Sequence, residues 1–312
     1  MISLVADVLT DEWVSLADAR QERPLTTPGE SACPFCPGPG SEVGLTPFHV
    51  AVFPNRYPVF DHPGAAEVVV YSPRHQDDYG HLSPAHGRLV WQVWRDRSAA
   101  LAERTDVESV LVFENRGRRI GATIDHPHGQ IYGYPYVPPR LAHERQVGHG
   151  SACRLCRVDA WTLPAAEAPH WRLVVPRAMR MPYQLALVPR RHVGTLAALS
   201  QEEVAEGAHL LQRAYRAYDR LMGYRAALAM GVHQPGRAGH LRLECLPIER
   251  GQLRQKYLAS SELIMGAFVT DIPAERAAER LQAALAAESL MSPASSAHHP
   301  GDPKEPRHDH SC

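Results

Sequence analysis

Four metal-ligating positions recur along this chain at nearly constant spacing, and that recurrence restricts the fold more than any other feature. Cys33 and Cys36 form one C-x-x-C pair, and Cys153 and Cys156 form another 120 residues on. His75 ends VVVYSPRH and His192 ends LALVPRRH, 117 apart, each an apolar run leading through Pro and Arg to His. His126 in HPHGQ and His240 in HLRLE are 114 apart. Each half thus offers two thiols and two imidazoles, the donor set of a tetrahedral zinc ion. Taken singly, a C-x-x-C pair also reads as a redox pair or a chance spacing, and a lone histidine as a structural one. Pro34 and Pro37 around the first pair, with Gly38 and Gly40 after it, are turn chemistry, which suits a metal knuckle. Cys245 has no near partner and reads as a small core residue.

The hydrophobic pattern repeats with the cysteines. Strands are expected at about 49–53, 67–72, 109–114 and 129–134, and again at 171–175, 183–188, 226–231 and 240–246. A helix fits 84–103, with Ser83 as cap, Pro84 at the first position and Leu89, Val90, Val93 and Trp94 as its apolar stripe. Its counterpart fits 201–222, where Ser200 and Glu203 form a capping box and Gly223 can end the helix. A third helix fits 273–289, and Trp94, Tyr215 and Tyr218 read as core. PYVPPR and GHGSA make 135–152 a linker. The expected fold is α+β: an N-terminal half over 1–140 and a C-terminal half over 141–290, each a mostly antiparallel sheet with a packed helix. The Pro-, Ser- and His-rich tail 291–312 reads as disordered.

Charge narrows the partners. The 312 residues carry 33 basic and 34 acidic side chains, which argues against a surface built for nucleic acid. No apolar run is long enough to span a membrane. The opening MISLVADVLTDEW has acidic residues and no basic segment, so a cytoplasmic protein without a secretory signal is expected. Of the basic residues only Lys256 and Lys304 are lysines, which makes Lys256 a better site candidate than an average lysine.

The most specific string is FENRG at 113–117 followed by GATIDHPHGQIYGYP at 121–135. On an extended strand His126, His128 and Gln130 point to one face, each step about 6.6–6.8 Å. With His126 on a metal, His128 stands beside a rigid anchor. Uncharged imidazole is a good nucleophile toward phosphorus, and the Gln130 amide can hold a phosphoryl oxygen as charge develops.

These motifs resemble those of galactose-1-phosphate uridylyltransferases, members of the histidine-triad superfamily. The resemblance runs from about residue 7 to 290 through CPFC, SPRH, FENRG, HPHGQ and the late KY…SE…AERL stretch, in the family's order. It implies that His128 is the uridylylated nucleophile and Gln130 its stabiliser. It places one zinc on Cys33, Cys36, His75 and His126, and a second on Cys153, Cys156, His192 and His240. Arg20 and Arg23 match arginines that reach substrate phosphates. Asn55, Asn115, Gly121, Ala122 and Thr123 match uridine and diphosphate contacts. Lys256, Tyr257 and Glu262 match hexose and phosphate contacts supplied by a neighbouring subunit, so a homodimer with composite sites is implied. Some positions depart from the pattern. Ser260–Ser261 replace a Gly-containing stretch, and Phe268 stands near where some members have Gln. Ala122 stands where some have Cys. Glu244 and Leu246 replace histidines that bind another metal in some members.

The implied reaction moves UMP from UDP-glucose to galactose-1-phosphate in two steps through a uridylyl-histidine, using UDP-hexose and hexose-1-phosphate and no redox cofactor. The alternatives are a related nucleotide-sugar phosphorylase or hydrolase acting on another base or sugar, such as ADP-glucose, and a zinc-stabilised nucleotide-binding module without turnover. An intact HPHGQ speaks against the module.

Overall fold

A computed structural model describes residues 2–22, 33–61, 65–148 and 153–289; Arg23 and the tail 291–312 lie outside them. The first half contains β1 (Ile2–Ala6), β2 (Trp13–Ala17), β3 (Ala51–Pro54), β4 (Ala66–Val70), α1 (Pro84–Ala102), β5 (Ser109–Arg116) and β6 (His128–Tyr134). Then come α2 (Pro139–Val147), β7 (Thr162–Glu167), β8 (Trp171–Pro176), β9 (Leu185–Pro189), α3 (Gln201–Met222), β10 (Leu228–His233) and β11 (Arg242–Pro247). The short strands β12 (Glu249–Gly251) and β13 (Arg254–Gln255) lead into α4 (Ser260–Met265) and α5 (Ala274–Ser289).

The fold is α+β, and the expected sheets are joined into one. Nine strands run in the order β3-β4-β6-β5-β10-β11-β9-β8-β7, each antiparallel to its neighbours. Matching strands by the sequence repeat sets β3 with β8, β4 with β9, β6 with β11 and β5 with β10. The order is then a palindrome about the β5–β10 pair, with β7 added at one edge. Phe113 lies opposite Gly231 and Asn115 opposite Ala229 across that central pair.

Alternation along the strands divides the sheet into two faces. One face carries Val69, Val112, Ile131, Leu173, Leu187, Val232 and Leu243 into the main core, where α1, α3 and α5 pack. Helix α1 is capped by Ser83, whose hydroxyl accepts from the His86 amide, and α3 by the reciprocal Ser200–Glu203 box. Gly223 ends α3 with φ of 78°, a left-handed turn that costs glycine little. The aromatic residues Trp94, Tyr215 and Tyr218 are fully buried, as core residues should be.

At the end of the central β5–β10 pair lies an ion-pair network that composition does not reveal. Arg116, at the end of β5, is 1% exposed. Its guanidinium donates to Asp78 at 2.9 Å and to Asp219 of α3 at 2.7 Å, and Arg225 adds a second cation on Asp78. A fork of donors on two carboxylates is the geometry arginine favours.

One expectation is corrected outright: the supposed linker at 135–152 contains α2. Its single buried residue is Leu141, so no apolar stripe announces it. Pro138 and Pro139, read as part of that linker, instead occupy the cap and the first helical position, where a missing amide hydrogen costs nothing. Strand β6 begins at His128, so His126, expected to share an extended strand face with His128 and Gln130, lies just before the strand.

Candidate active site and metal centres

The cysteine pairs come from loops and the histidines from strand ends, and the sheet brings them together twice. Cys33, Cys36, His75 and His126 place one ligand atom each within 4.8 Å of one another, and so do Cys153, Cys156, His192 and His240. In the first set the Sγ–Nδ1 distances are 3.7 Å for Cys33–His126, 3.5 Å for Cys36–His75 and 3.5 Å for Cys36–His126. In the second they are 3.6 Å for Cys153–His240, 3.2 Å for Cys156–His192 and 3.5 Å for Cys156–His240. Two thiolates and two imidazoles around tetrahedral zinc require S···N of about 3.5 Å, from ordinary Zn–S and Zn–N bond lengths. The donor chemistry and spacing therefore fit such an ion at both places.

The outer contacts fit as well. His126 Nε2 donates to the Ser72 carbonyl at 2.7 Å, and His240 Nε2 to the Pro189 carbonyl at 2.9 Å. A carbonyl only accepts, so each ring carries its hydrogen on Nε2 and presents the Nδ1 lone pair to the thiols. Burial holds His240 neutral, its pKa pushed down to about 4. A third group, Asp78, His81 and Asp219, also lies within ligand distance, but Arg116 already bridges its two carboxylates.

His128 lies two residues beyond His126, at the first position of β6. Its Nδ1 donates to the His126 carbonyl at 2.8 Å, which leaves the neutral ring's lone pair on Nε2. Phe35, within the first C-x-x-C, packs edge-on against the ring with centroids 5.1 Å apart. Gln130 follows on the same face. Its Oε1 accepts from Asn55 Nδ2 at 3.0 Å and from Tyr132 Oη at 2.9 Å, which fixes the amide with its NH₂ turned the other way. The Asn55 side chain is itself locked, accepting from the Tyr57 amide at 2.9 Å. Arg20 donates to the Tyr57 carbonyl at 2.8 Å, which links Arg20 through Tyr57 to Asn55 and Gln130. Tyr132 is an addition that sequence reasoning missed; its signal was the two-residue alternation in GQIY.

Asn115, the penultimate residue of β5, lies on the face that carries Phe113 and Gln130. Gly117 and Gly121, with φ of 91° and 86°, turn the loop that carries Gly121, Ala122 and Thr123. Ile124 then packs on the cluster of Cys33, Phe35, Val68 and Val70, which ties this loop to the first cysteine knuckle. Lys256, Tyr257 and Glu262 form a separate group on the segment after β13. Lys256 Nζ pairs with Glu262 Oε1 at 2.5 Å, and Glu262, which also accepts from the Ala259 amide, has its pKa drawn down to about 2 by that amide and by Lys256. Tyr257 is exposed.

The second half does not repeat the reacting pair. Two and four residues after His240 stand Arg242 and Glu244, where the first half has His128 and Gln130. Glu244 is buried and bonded to Arg180, Gln184 and Arg242, with His233 alongside. Arg242 in turn reaches Glu144 of α2 at 2.6 Å. A guanidinium held by two carboxylates is no nucleophile, so Arg242 cannot take the place that an imidazole has in HPHGQ.

Residues 51–138, from β3 to just past β6, match the galactose-1-phosphate uridyl transferase N-terminal domain. The galactose-1-phosphate uridylyltransferase of Thermotoga maritima is 31% identical over 315 aligned residues, covering 90% of this chain and 98% of the relative. Among solved structures a uridylyltransferase superposes with a TM-score of 0.81 at 28% identity, over 93% of this chain and all of the other. An ADP-glucose phosphorylase from Arabidopsis thaliana shares the fold, with a TM-score of 0.70 at 21% identity over 90% of this chain and 99% of the other. The chain is a member of the galactose-1-phosphate uridylyltransferase family.

Proposed function

We propose that this protein transfers a uridylyl group from UDP-glucose to galactose-1-phosphate through His128. The observation that carries the reading is the His128–His126 hydrogen bond, which leaves Nε2 as the nucleophilic nitrogen. Nε2 attacks the α-phosphorus of UDP-glucose. The bond from that phosphorus to the bridging oxygen breaks, and glucose-1-phosphate leaves. A phosphate oxygen of galactose-1-phosphate then attacks the same phosphorus, the P–N bond breaks, and UDP-galactose leaves with His128 restored. The Gln130 amide, aimed by Asn55 and Tyr132, donates to a phosphoryl oxygen as charge builds. Arg20 and Arg23 offer cations to the diphosphate, while Asn115, Gly121, Ala122 and Thr123 line the nucleotide.

Two zinc ions per chain are the best occupants of the Cys/His sets. They serve as structural anchors, holding the strand ends that position the nucleophile. The chain divides into halves at 1–140 and 141–290 that share the one sheet. Leu263, Ile264, Met265 and Val269, beside the Lys256–Glu262 pair, are each more than 60% exposed. An apolar surface of this kind favours a second copy of the chain docking there, with Lys256, Tyr257 and Glu262 delivered to the partner's sugar phosphate.

No helix among the described residues is long and apolar enough to cross a membrane. Incubation with UDP-glucose or ADP-glucose, followed by galactose-1-phosphate or inorganic phosphate, tests both donor and acceptor. UDP-galactose formation supports the proposal. Turnover with ADP-glucose and phosphate alone replaces it with the phosphorylase reading.

A further inference from the structure

We propose that Tyr71 is a positioning residue for the nucleophile, its hydroxyl setting the height of the His128–Gln130 strand above the core; the inference rests on the functional reading of His128.

Tyr71 holds the HPHGQ segment at two points. Its amide donates to the Pro127 carbonyl at 3.0 Å, just before His128. Its side chain runs under the sheet to Gly129, just after His128. A Cβ placed on Gly129 would lie 2.1 Å from Tyr71 Oη and 3.0 Å from both Tyr71 Cζ and the Phe113 carbonyl oxygen, so the hydroxyl is the group that most fills the space a side chain would take. The next residue, Ser72, receives the His126 ring through its carbonyl. Tyr71 and Ser72 thus brace the segment on both sides of the reacting ring.

The hydroxyl itself is unusual. Tyr71 is fully buried among Tyr79 and Trp94, and its Oη has Glu114 and Trp94 as polar neighbours but meets neither in good hydrogen-bond geometry. Burial and the nearby Glu114 keep the phenol protonated. An unpaired buried hydroxyl is a cost to folding, and phenylalanine would avoid it. What phenylalanine lacks is the atom beneath Gly129. Without that atom the strand can settle toward the core and carry His128 with it, and displacements below an ångström slow a positioned reaction.

The test is Tyr71→Phe, Gly129→Ala and the double variant, each measured for nucleotidylation of His128 in a single turnover, for KM and for melting temperature. Tyr71→Phe is expected to slow nucleotidylation about tenfold with KM unchanged and melting equal or higher. A purely structural tyrosine would give the reverse, earlier melting with the rate intact. Gly129→Ala alone should be slower still and melt earlier, because its methyl meets the hydroxyl. The double variant should recover part of both losses, since the methyl enters the vacated space. A Tyr71→Phe enzyme as fast as wild type, or a double variant no better than Gly129→Ala, overturns the inference alone. A wild type that takes no nucleotidyl group from UDP-glucose or ADP-glucose overturns the functional reading and this role with it.

Discussion

His126 supports His128 through its backbone: the carbonyl of His126 accepts the Nδ1 hydrogen of His128 at 2.8 Å, while the His126 ring closes the first Cys2His2 set. The proposed metal ligand and the proposed nucleophile therefore belong to one tripeptide, and a disturbance of the first is expected to move the second.

The two metal sets should consequently differ in their effect on catalysis. Cys33→Ser is expected to lose one of two zinc ions per chain, melt earlier and slow nucleotidylation by at least tenfold, because second-order disturbances of a metal anchor commonly cost that much. Cys153→Ser should lose the other ion and melt earlier with a smaller loss of rate, since Arg242 and Glu244, not a nucleophile, follow His240. Metal analysis beside single-turnover kinetics checks this. Equal kinetic losses in the two variants would contradict the asymmetry.

Glu114 gives a prediction in pH. It is buried against Tyr215, whose hydroxyl donates to it at 3.1 Å. Burial first, and then the charge of Asp78, raise its pKa from 4.5 to about 7, with Arg116 and Arg225 opposing. Between those values the unfolded chain has released the proton and the folded chain still holds it. Stability from this group therefore falls as pH rises from 4.5 to 7, by on the order of 3 kcal/mol in all. Glu114→Gln keeps an acceptor for Tyr215 without the titration. Its melting temperature should gain on wild type between pH 5 and pH 8, and a difference that stays constant or shrinks would show Glu114 ionised throughout.

Arg116 should be the costliest polar residue to remove. Arg116→Met leaves Asp78 and Asp219 facing each other with Arg225 and the His81 ring, both beside Asp78, as the neighbouring basic groups. Breaking one side of a buried ion-pair network costs about 3–5 kcal/mol. Denaturant unfolding at neutral pH measures it, and a loss below about 1 kcal/mol would mean the carboxylates find other partners.

Lys256 tests the composite site. Lys256→Ala should raise KM for galactose-1-phosphate about tenfold, the value of one well-placed charge-assisted contact. Mixing His128→Ala with Lys256→Ala subunits should then yield more activity than the two separately, because some heterodimers hold one complete site. Exchange of subunits without complementation would place Lys256 in its own chain's site or in none.

Much of this site was legible in the residues. The cysteine and histidine spacings located both metal sets because a tetrahedral donor set leaves little freedom in residue type. The α3 limits followed from Ser200, Glu203 and Gly223, whose local hydrogen bonding does not depend on the rest of the fold. What was not legible depends on distant pairing. Nothing local says that β5 joins β10 and merges two sheets, or that Asp78 and Asp219 converge on Arg116. Helix α2 buries only Leu141 and carries no periodic signal, and the place of the Tyr71 hydroxyl under Gly129 exists only once β4 and β6 are paired.

The central claim is that the His128 imidazole carries the nucleotidyl group. The direct measurement is intact mass and peptide mapping after incubation with UDP-glucose, on wild type and His128→Ala. Wild type should gain one uridylyl unit on the peptide containing His128 and lose it on addition of galactose-1-phosphate, while His128→Ala keeps its metal and gains nothing. A uridylyl group on any other residue, or UDP-galactose formed by His128→Ala at the wild-type rate, would contradict the account.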